Sequence, residues 1–214
     1  MDRAEAEARM REVQRIMERT TLYTLLPGPS ALIGGALVLA GCAVSYAMLR
    51  SVDFGALVNA SIEAQWAFCI LWTAIGAIAV AQEVVLAARA ARRQGISPTA
   101  RPARFAAFSL TPAIFTAVIL TFKLLMDATV DFAPQLIRYV VPLWMMCYGT
   151  GVYTAGLFSI RLPRLLGLAF IGLGAIALLC FPGYGVATAA VSFGLLHIVF
   201  GLVVLSRSRG SAGE

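Results

Sequence analysis

One carboxylate stands where carboxylates are seldom left: Glu83 lies in Ala81-Gln82-Glu83-Val84-Val85, inside an apolar run from Ala64 to Ala88. It precedes Arg89 by six residues, roughly 9 Å of helix rise, which puts it below the hydrocarbon surface of any membrane this run crosses. An unpaired carboxylate at that depth is costly, so it must face protein, find a hydrogen-bonding partner or carry a proton. Gln82 beside it points about 100° away around a helix. The partners the sequence offers are Arg161, Arg104 and His197. With any of them Glu83 forms either a structural clasp or part of a proton, ion or solute path.

His197 is the single histidine of the chain. Bis-histidine haem ligation within one chain is therefore excluded, and zinc would need an unusual carboxylate or thiol set. Hydrogen bonding across a helical bundle is the simpler role. Met145 and Met146 lack the methionine and histidine array that copper would need. Cys42, Cys69, Cys147 and Cys180 lie in or at the edge of apolar runs without CxxC spacing, which indicates neither a disulfide framework nor a zinc site. No cofactor and no metal is expected. HExxH, GxSxG, P-loop and dinucleotide fingerprints are absent in a suitable context, so no catalytic residue can be named.

A second set of chemistry-bearing residues is sparse and mixed in sign: Arg50, Asp53, Glu63, Lys123, Asp127 and Arg138. They suit either an outer vestibule or solvated loop ends joined by rim salt bridges. Lys123 and Asp127 share a helix face at i,i+4, and Lys123 can snorkel to the interface. Thr111, Thr116 and Thr121 accompany Pro112, whose ring frees a carbonyl that a hydroxyl could satisfy. Trp144 and Tyr148 form an i,i+4 stripe suited to a solute path or to helix packing.

The elements that must position these residues are six apolar stretches: Ala31 to Leu49, Ala64 to Ala88, Phe105 to Met126, Tyr139 to Ile160, Leu165 to Phe181 and Val186 to Leu205. Each approaches the ~20 residues that cross ~30 Å of hydrocarbon, the fifth being short. With 13% charged residues in 214, a soluble domain is a poor fit. The expectation is an all-α, polytopic membrane protein: a six-transmembrane-helix bundle over residues 30–205, preceded by a cytoplasmic helix and linker (1–29) and followed by a short tail (206–214).

Fourteen of the 17 Lys and Arg fall before the first span, in the second and fourth connections, or after the last span. Arg50, Lys123 and Arg138 fall on the other side. The positive-inside rule then places both termini in the cytoplasm, the expected home being a bacterial inner membrane or plasma membrane. The net charge of +6 is explained by these topology anchors near anionic lipid, with no nucleic-acid partner. Charged residues occupy positions 2 to 19, so no cleavable signal peptide is visible.

Residues 2 to 19 read instead as an amphipathic helix, with Met10, Val13, Ile16 and Met17 on one stripe and Glu5/Arg9 and Glu7/Arg11 paired in the favourable order. Pro27-Gly28-Pro29 breaks the chain before the first span. Glycines in the first, fourth and fifth spans (Gly34, Gly35, Gly41; Gly149, Gly151, Gly156; Gly167, Gly172, Gly174) allow close backbone approach. No convincing internal repeat relates the spans, which lowers the case for a repeat-built transporter.

The leading functional expectation is a small permease, channel or transport-associated subunit of unknown solute. The alternative is a noncatalytic scaffold or regulatory subunit, and the third is a membrane-embedded enzyme. Membrane lipid is the expected partner, with a homo-oligomer or a membrane partner subunit as further expectations.

Overall fold

The computed structural model describes residues 5, 9, 28–93, 101–130, 134–157 and 161–210. Every regular element among them is helical. In chain order these are α1 (Gly28–Leu49), a 3-10 turn (Phe54–Asn59), α2 (Ile62–Arg93), α3 (Arg101–Val130), a second 3-10 turn (Pro134–Tyr139), α4 (Val140–Gly156) and α5 (Arg161–Cys180). The last helix is composite: α6 (Gly185–Ala189) passes through a π-helical segment (Ala190–Leu196) into α7 (His197–Gly210).

Among the described residues, five helical stretches are long and apolar enough to cross a membrane: Gly28–Leu49, Ile62–Arg93, Ala107–Ala128, Arg161–Cys180 and Gly185–Arg207. The chain is an all-α polytopic membrane protein, because hydrocarbon offers backbone groups no partner and helices satisfy them internally. Of the fourth expected span, Tyr139 to Ile160, residues 139–157 are described, and they hold a 17-residue helix preceded by a 3-10 turn. It closes at Gly156, where the Arg164 guanidinium donates to the carbonyls of Gly156 (2.7 Å) and Leu157 (3.3 Å). The fifth is longer than its hydropathy indicated. Pro163 lies in its first turn, where a missing N–H breaks no helical bond, so α5 begins at Arg161. Of the N-terminal amphipathic segment, only Glu5 and Arg9 are described; both are helical and form the expected ion pair at 2.8 Å. Its apolar stripe lies outside the described residues.

The contacts set neighbouring helices antiparallel along their length. Ser30 and Ser45 of α1 meet Gln82 and Trp72 of α2, so low numbers on one oppose high numbers on the other. Gly28 of α1 faces Leu205 of α7, and Gly35 faces Ile198. On α4, Gly149 faces Gly167 of α5 and Gly156 faces Arg164, while Gly151 faces Leu110 and Ala113 of α3. A β-carbon at Gly35 would stand 2.6 Å from the Gly194 carbonyl oxygen, and one at Gly167 would stand 2.5 Å from the Tyr153 nitrogen. At these two crossings only glycine permits the observed approach, in keeping with small-residue packing between membrane helices.

Two groups result. α1 holds α2 and α7, α4 holds α3 and α5, and α4 also meets α6 between the groups. A ring cluster seals that junction: Tyr148, Phe170 and Phe193 pack with centroids 4.9–5.4 Å apart, and Phe170 is fully buried. Each such aromatic pair adds about 0.5–1.5 kcal/mol beyond area burial. α2 and α3 barely touch one another.

Candidate functional site

Glu83 reaches α1. One of its carboxylate oxygens, Oε2, is bonded to the Ser30 hydroxyl. Gln82 joins the same residue, its Nε2 donating to the Ser30 hydroxyl (3.0 Å) and to the Ser30 carbonyl (3.2 Å). Gln82 thus reaches the same residue as Glu83 despite its offset of about 100° around the helix. Two adjacent side chains diverging by about 100° can straddle one facing residue when both are long and the partner sits between them. The hydrogen bonds run in one direction: the amide donates to Ser30, and the Ser30 hydroxyl donates to Glu83.

Ser30 lies in the first turn of α1, one residue after Pro29. The start of a helix carries unbonded N–H groups and the positive end of the macrodipole, a favourable neighbourhood for a carboxylate. Nearby, Gly34 leaves space beside the amide: a β-carbon there would meet only Gln82 Nε2, at 3.9 Å. The satisfaction of the cluster is incomplete. Glu83 Oε1 and Gln82 Oε1 are buried and have no hydrogen-bond partner among the described residues.

The three partners the sequence offered for Glu83 are placed differently from one another. Arg104 and Arg161 lie in the first turns of α3 and α5 and are exposed, and among the described residues neither forms an ion pair with Glu83. His197 is buried at the point where the π-helical segment becomes α7. Its Nε2 is 2.9 Å from the Tyr148 hydroxyl. The other ring nitrogen, Nδ1, is buried and has no hydrogen-bond partner among the described residues.

Ser30 and Tyr148 thus hold the two ionisable groups, and sequence reasoning had not given either that role. Ser30 was within reach of a hairpin argument: it stands nineteen residues before Leu49, and Glu83 stands twenty-one after Ile62, so an antiparallel pair sets them level. The Tyr148–His197 contact joins helices distant in sequence, and no local spacing announces it.

On the opposite end of the bundle, Asp53 organises the second set of charges. Its Oδ1 accepts from the Gly55 N–H at 2.7 Å, capping the first 3-10 turn, and its Oδ2 accepts from Arg138 Nε at 2.7 Å. That ion pair ties the two 3-10 turns together, while Val186 N–H donates to the Val52 carbonyl (2.9 Å) and fastens the start of α6 to them. Lys123 pairs with Asp127 along α3. Glu63 is exposed in the first turn of α2. Arg50 is exposed and closes α1 with φ of 50°, a left-handed residue at a helix end. Beneath this cap, a lateral cavity of about 700 Å³ opens between α2 and α3, lined by Leu57, Ile62, Trp66, Phe122, Leu125 and Ile137 among others.

The polar groups therefore form two separate constellations, one on the Glu83 side held by helix packing and one on the Asp53 side held by turns. Among the described residues no group of three or more His, Cys, Asp or Glu side chains is arranged to hold a metal ion. No protein-family model, curated protein or solved structure matches this chain.

Proposed function

We propose that the chain is a six-span membrane protein with both termini cytoplasmic, working as a small permease, channel or transport-associated subunit in which Glu83 borders the solute path. The observation that carries this reading is a buried carboxylate with one oxygen anchored by Ser30 and the other without a partner. A purely structural clasp gains from satisfying both oxygens, because an orphaned buried acceptor costs about 1–3 kcal/mol. An oxygen left open is suited to meeting a transient partner: a proton, a cation or a polar solute group.

The sixth crossing is supported by α4, which lies antiparallel to α3 on one side and to α5 on the other, at a length within the spanning range. The antiparallel pairing of α1 with α7 favours an even number of crossings. Single cysteines in a cysteine-free background test the arrangement: labels at Asn59 and Gln135 are expected to react from outside, and labels at Gly95, Arg161 and Ser211 from the cytoplasm. The reverse pattern, or same-side labelling of Gln135 and Arg161, overturns it.

The functional test is flux into liposomes after a solute screen. Glu83→Gln keeps size and most hydrogen-bonding capacity while removing the charge, and is expected to lower flux about tenfold, equivalent to ~1.4 kcal/mol in the barrier, with comparable folding. Unchanged flux rejects the role of Glu83.

A noncatalytic scaffold or regulatory subunit is the second reading, and the cavity between α2 and α3 favours it. The small-residue faces do not, since Gly28, Gly35, Gly149 and Gly167 are occupied within the bundle.

A further inference from the structure

We infer that the cleft between α2 and α3 binds a phospholipid of the surrounding bilayer, with an acyl tail between the two helices and its phosphate toward Lys123 and Arg138. The inference goes beyond the transport reading and does not depend on Glu83, whose site lies at the other end of the bundle.

The two helices leave their faces to something outside the chain. Of the spanning residues of α2 and of α3, 6% are buried within the protein, against 22–39% in the other three long stretches. The cleft wall of Leu57, Ile62, Trp66, Phe122, Leu125, Ile137 and their neighbours carries no ionised side chain. Gln65, also in the wall, already donates from Nε2 to the Ala60 carbonyl at 3.1 Å. Water finds too few polar partners in such a space, whereas hydrocarbon enters it without losing any.

A further helix fits the cleft poorly. The tight crossings of this bundle bring Gly35 against Gly194 and Gly149 against Gly167, but no glycine lines the cleft, and close approach between membrane helices needs small residues. The outward-turned rings of Trp66 and Phe122 would hold a rod away from the space behind them. One helical turn, ~10 Å across and ~5.4 Å long, displaces roughly 400 Å³. The cavity of about 700 Å³ therefore holds fewer than about two turns, where a crossing helix has more than about five.

A tail fits in depth, in entry and in charge. The α2 wall runs from Ile62 to Cys69, ~10 Å of helix rise, which is contained in the ~15 Å of one leaflet. Leu57 and Ile137 of the two 3-10 turns close the end nearest Asp53, so entry is lateral, past the exposed Trp66 and Phe122. Phe122 and Ile137 of the wall are followed directly by Lys123 and Arg138. These cations pair with Asp127 and Asp53, yet their side chains remain 69% and 46% exposed. Cations on the rim suit a phosphate, as the apolar wall suits the tail.

The test uses full-length protein in phosphatidylcholine nanodiscs doped with phosphatidylcholine that carries a diazirine midway along one acyl tail. After irradiation, peptide mass spectrometry locates the labelled residues. Labelling at Trp66, Cys69 and Phe122 is expected to exceed that at Leu179 and Val191, exposed apolar residues of α5 and of the π-helical segment. Cys69→Trp fills the cleft and is expected to bring its labelling down to the Leu179 level. Should that variant fail to fold, Met126→Trp narrows the same space from α3. Lys123→Gln is expected to lower cleft labelling with no change at Leu179. Equal labelling of cleft and Leu179, or a cleft signal unmoved by the added tryptophan, overturns the site, and an unchanged cleft signal in Lys123→Gln overturns the placing of the phosphate. Native mass spectrometry of protein released from the discs tests the competing occupant: one chain with retained phosphatidylcholine supports the inference, whereas a pair of chains without lipid assigns the cleft to a second copy and overturns it.

Discussion

The α4–α5 crossing and the α2–α3 cleft are built from similarly apolar helices, yet one is closed to backbone contact and the other is open. At the first, Gly149 and Gly167 face each other and the Gly174 backbone lies against Pro142 and Met145. At the second, Trp66 and Phe122 turn outward, 65% and 66% exposed, and a cavity separates the helices. Hydrophobicity cannot account for the difference, because lipid tails solvate Leu and Phe as well as another helix does. Small residues in matching register decide which faces close, and bulky ones leave the face to lipid.

Position matters more than residue type in this comparison. Gly172 is on the same helix as Gly167, but a β-carbon there would meet nothing within 4 Å. The largest expected effect follows. Gly167→Ala forces a methyl against the Tyr153 and Gly149 backbones and is expected to cost about 1–3 kcal/mol, seen as a lower thermal midpoint in detergent. Gly172→Ala is expected to be neutral or to stabilise by up to about 1 kcal/mol through helix propensity. Equal losses at both sites would break the distinction between closed and open faces.

A smaller effect is expected where a polar tie supplements packing. Trp144 Nε1 donates to Thr121 Oγ1 at 2.7 Å across the α3–α4 contact. Thr121→Val removes that bond with little change in shape, and a loss of about 0.6–1.7 kcal/mol is expected in an equilibrium unfolding series, the range measured for bonds between membrane helices. A loss above that range would mean that α3 is held by this bond more than by its contact at Gly151.

The smallest effect belongs to the cap formed by the two 3-10 turns. Arg138 and Asp53 are partly exposed, so Asp53→Asn is expected to cost about 0.2–1 kcal/mol and to lose salt dependence, since screening weakens exposed pairs. A larger cost would point to the Gly55 cap and the seating of the turns as the main role of Asp53.

Much of the architecture was legible from the chain. The apolar runs at Ala31–Leu49 and Ala64–Ala88 became α1 and α2 because their length and composition leave hydrocarbon as the only comfortable solvent. Boundaries were less legible where proline and glycine intervened: Pro163 could not be told from a helix breaker without knowing it occupied a first turn, and the apolar run beginning at Tyr139 did not reveal that the α-helix starts at Val140 after a 3-10 turn and has Leu157 as its C-cap. Of the site, Glu83 was visible as a misfit, and Ser30 could be inferred from hairpin register. The π-helical segment before His197 left no sign in composition.

The sequence by itself determined that this chain is an all-α membrane protein with one carboxylate that requires shelter, because the cost of exposing apolar runs to water and charge to lipid is local and additive. Which residues shelter Glu83, and that Tyr148 and His197 stand together beyond them, was decided by the tertiary structure alone. Those contacts depend on how helices far apart in the chain cross and rotate, and that geometry is fixed by backbone approach at a few glycines acting together.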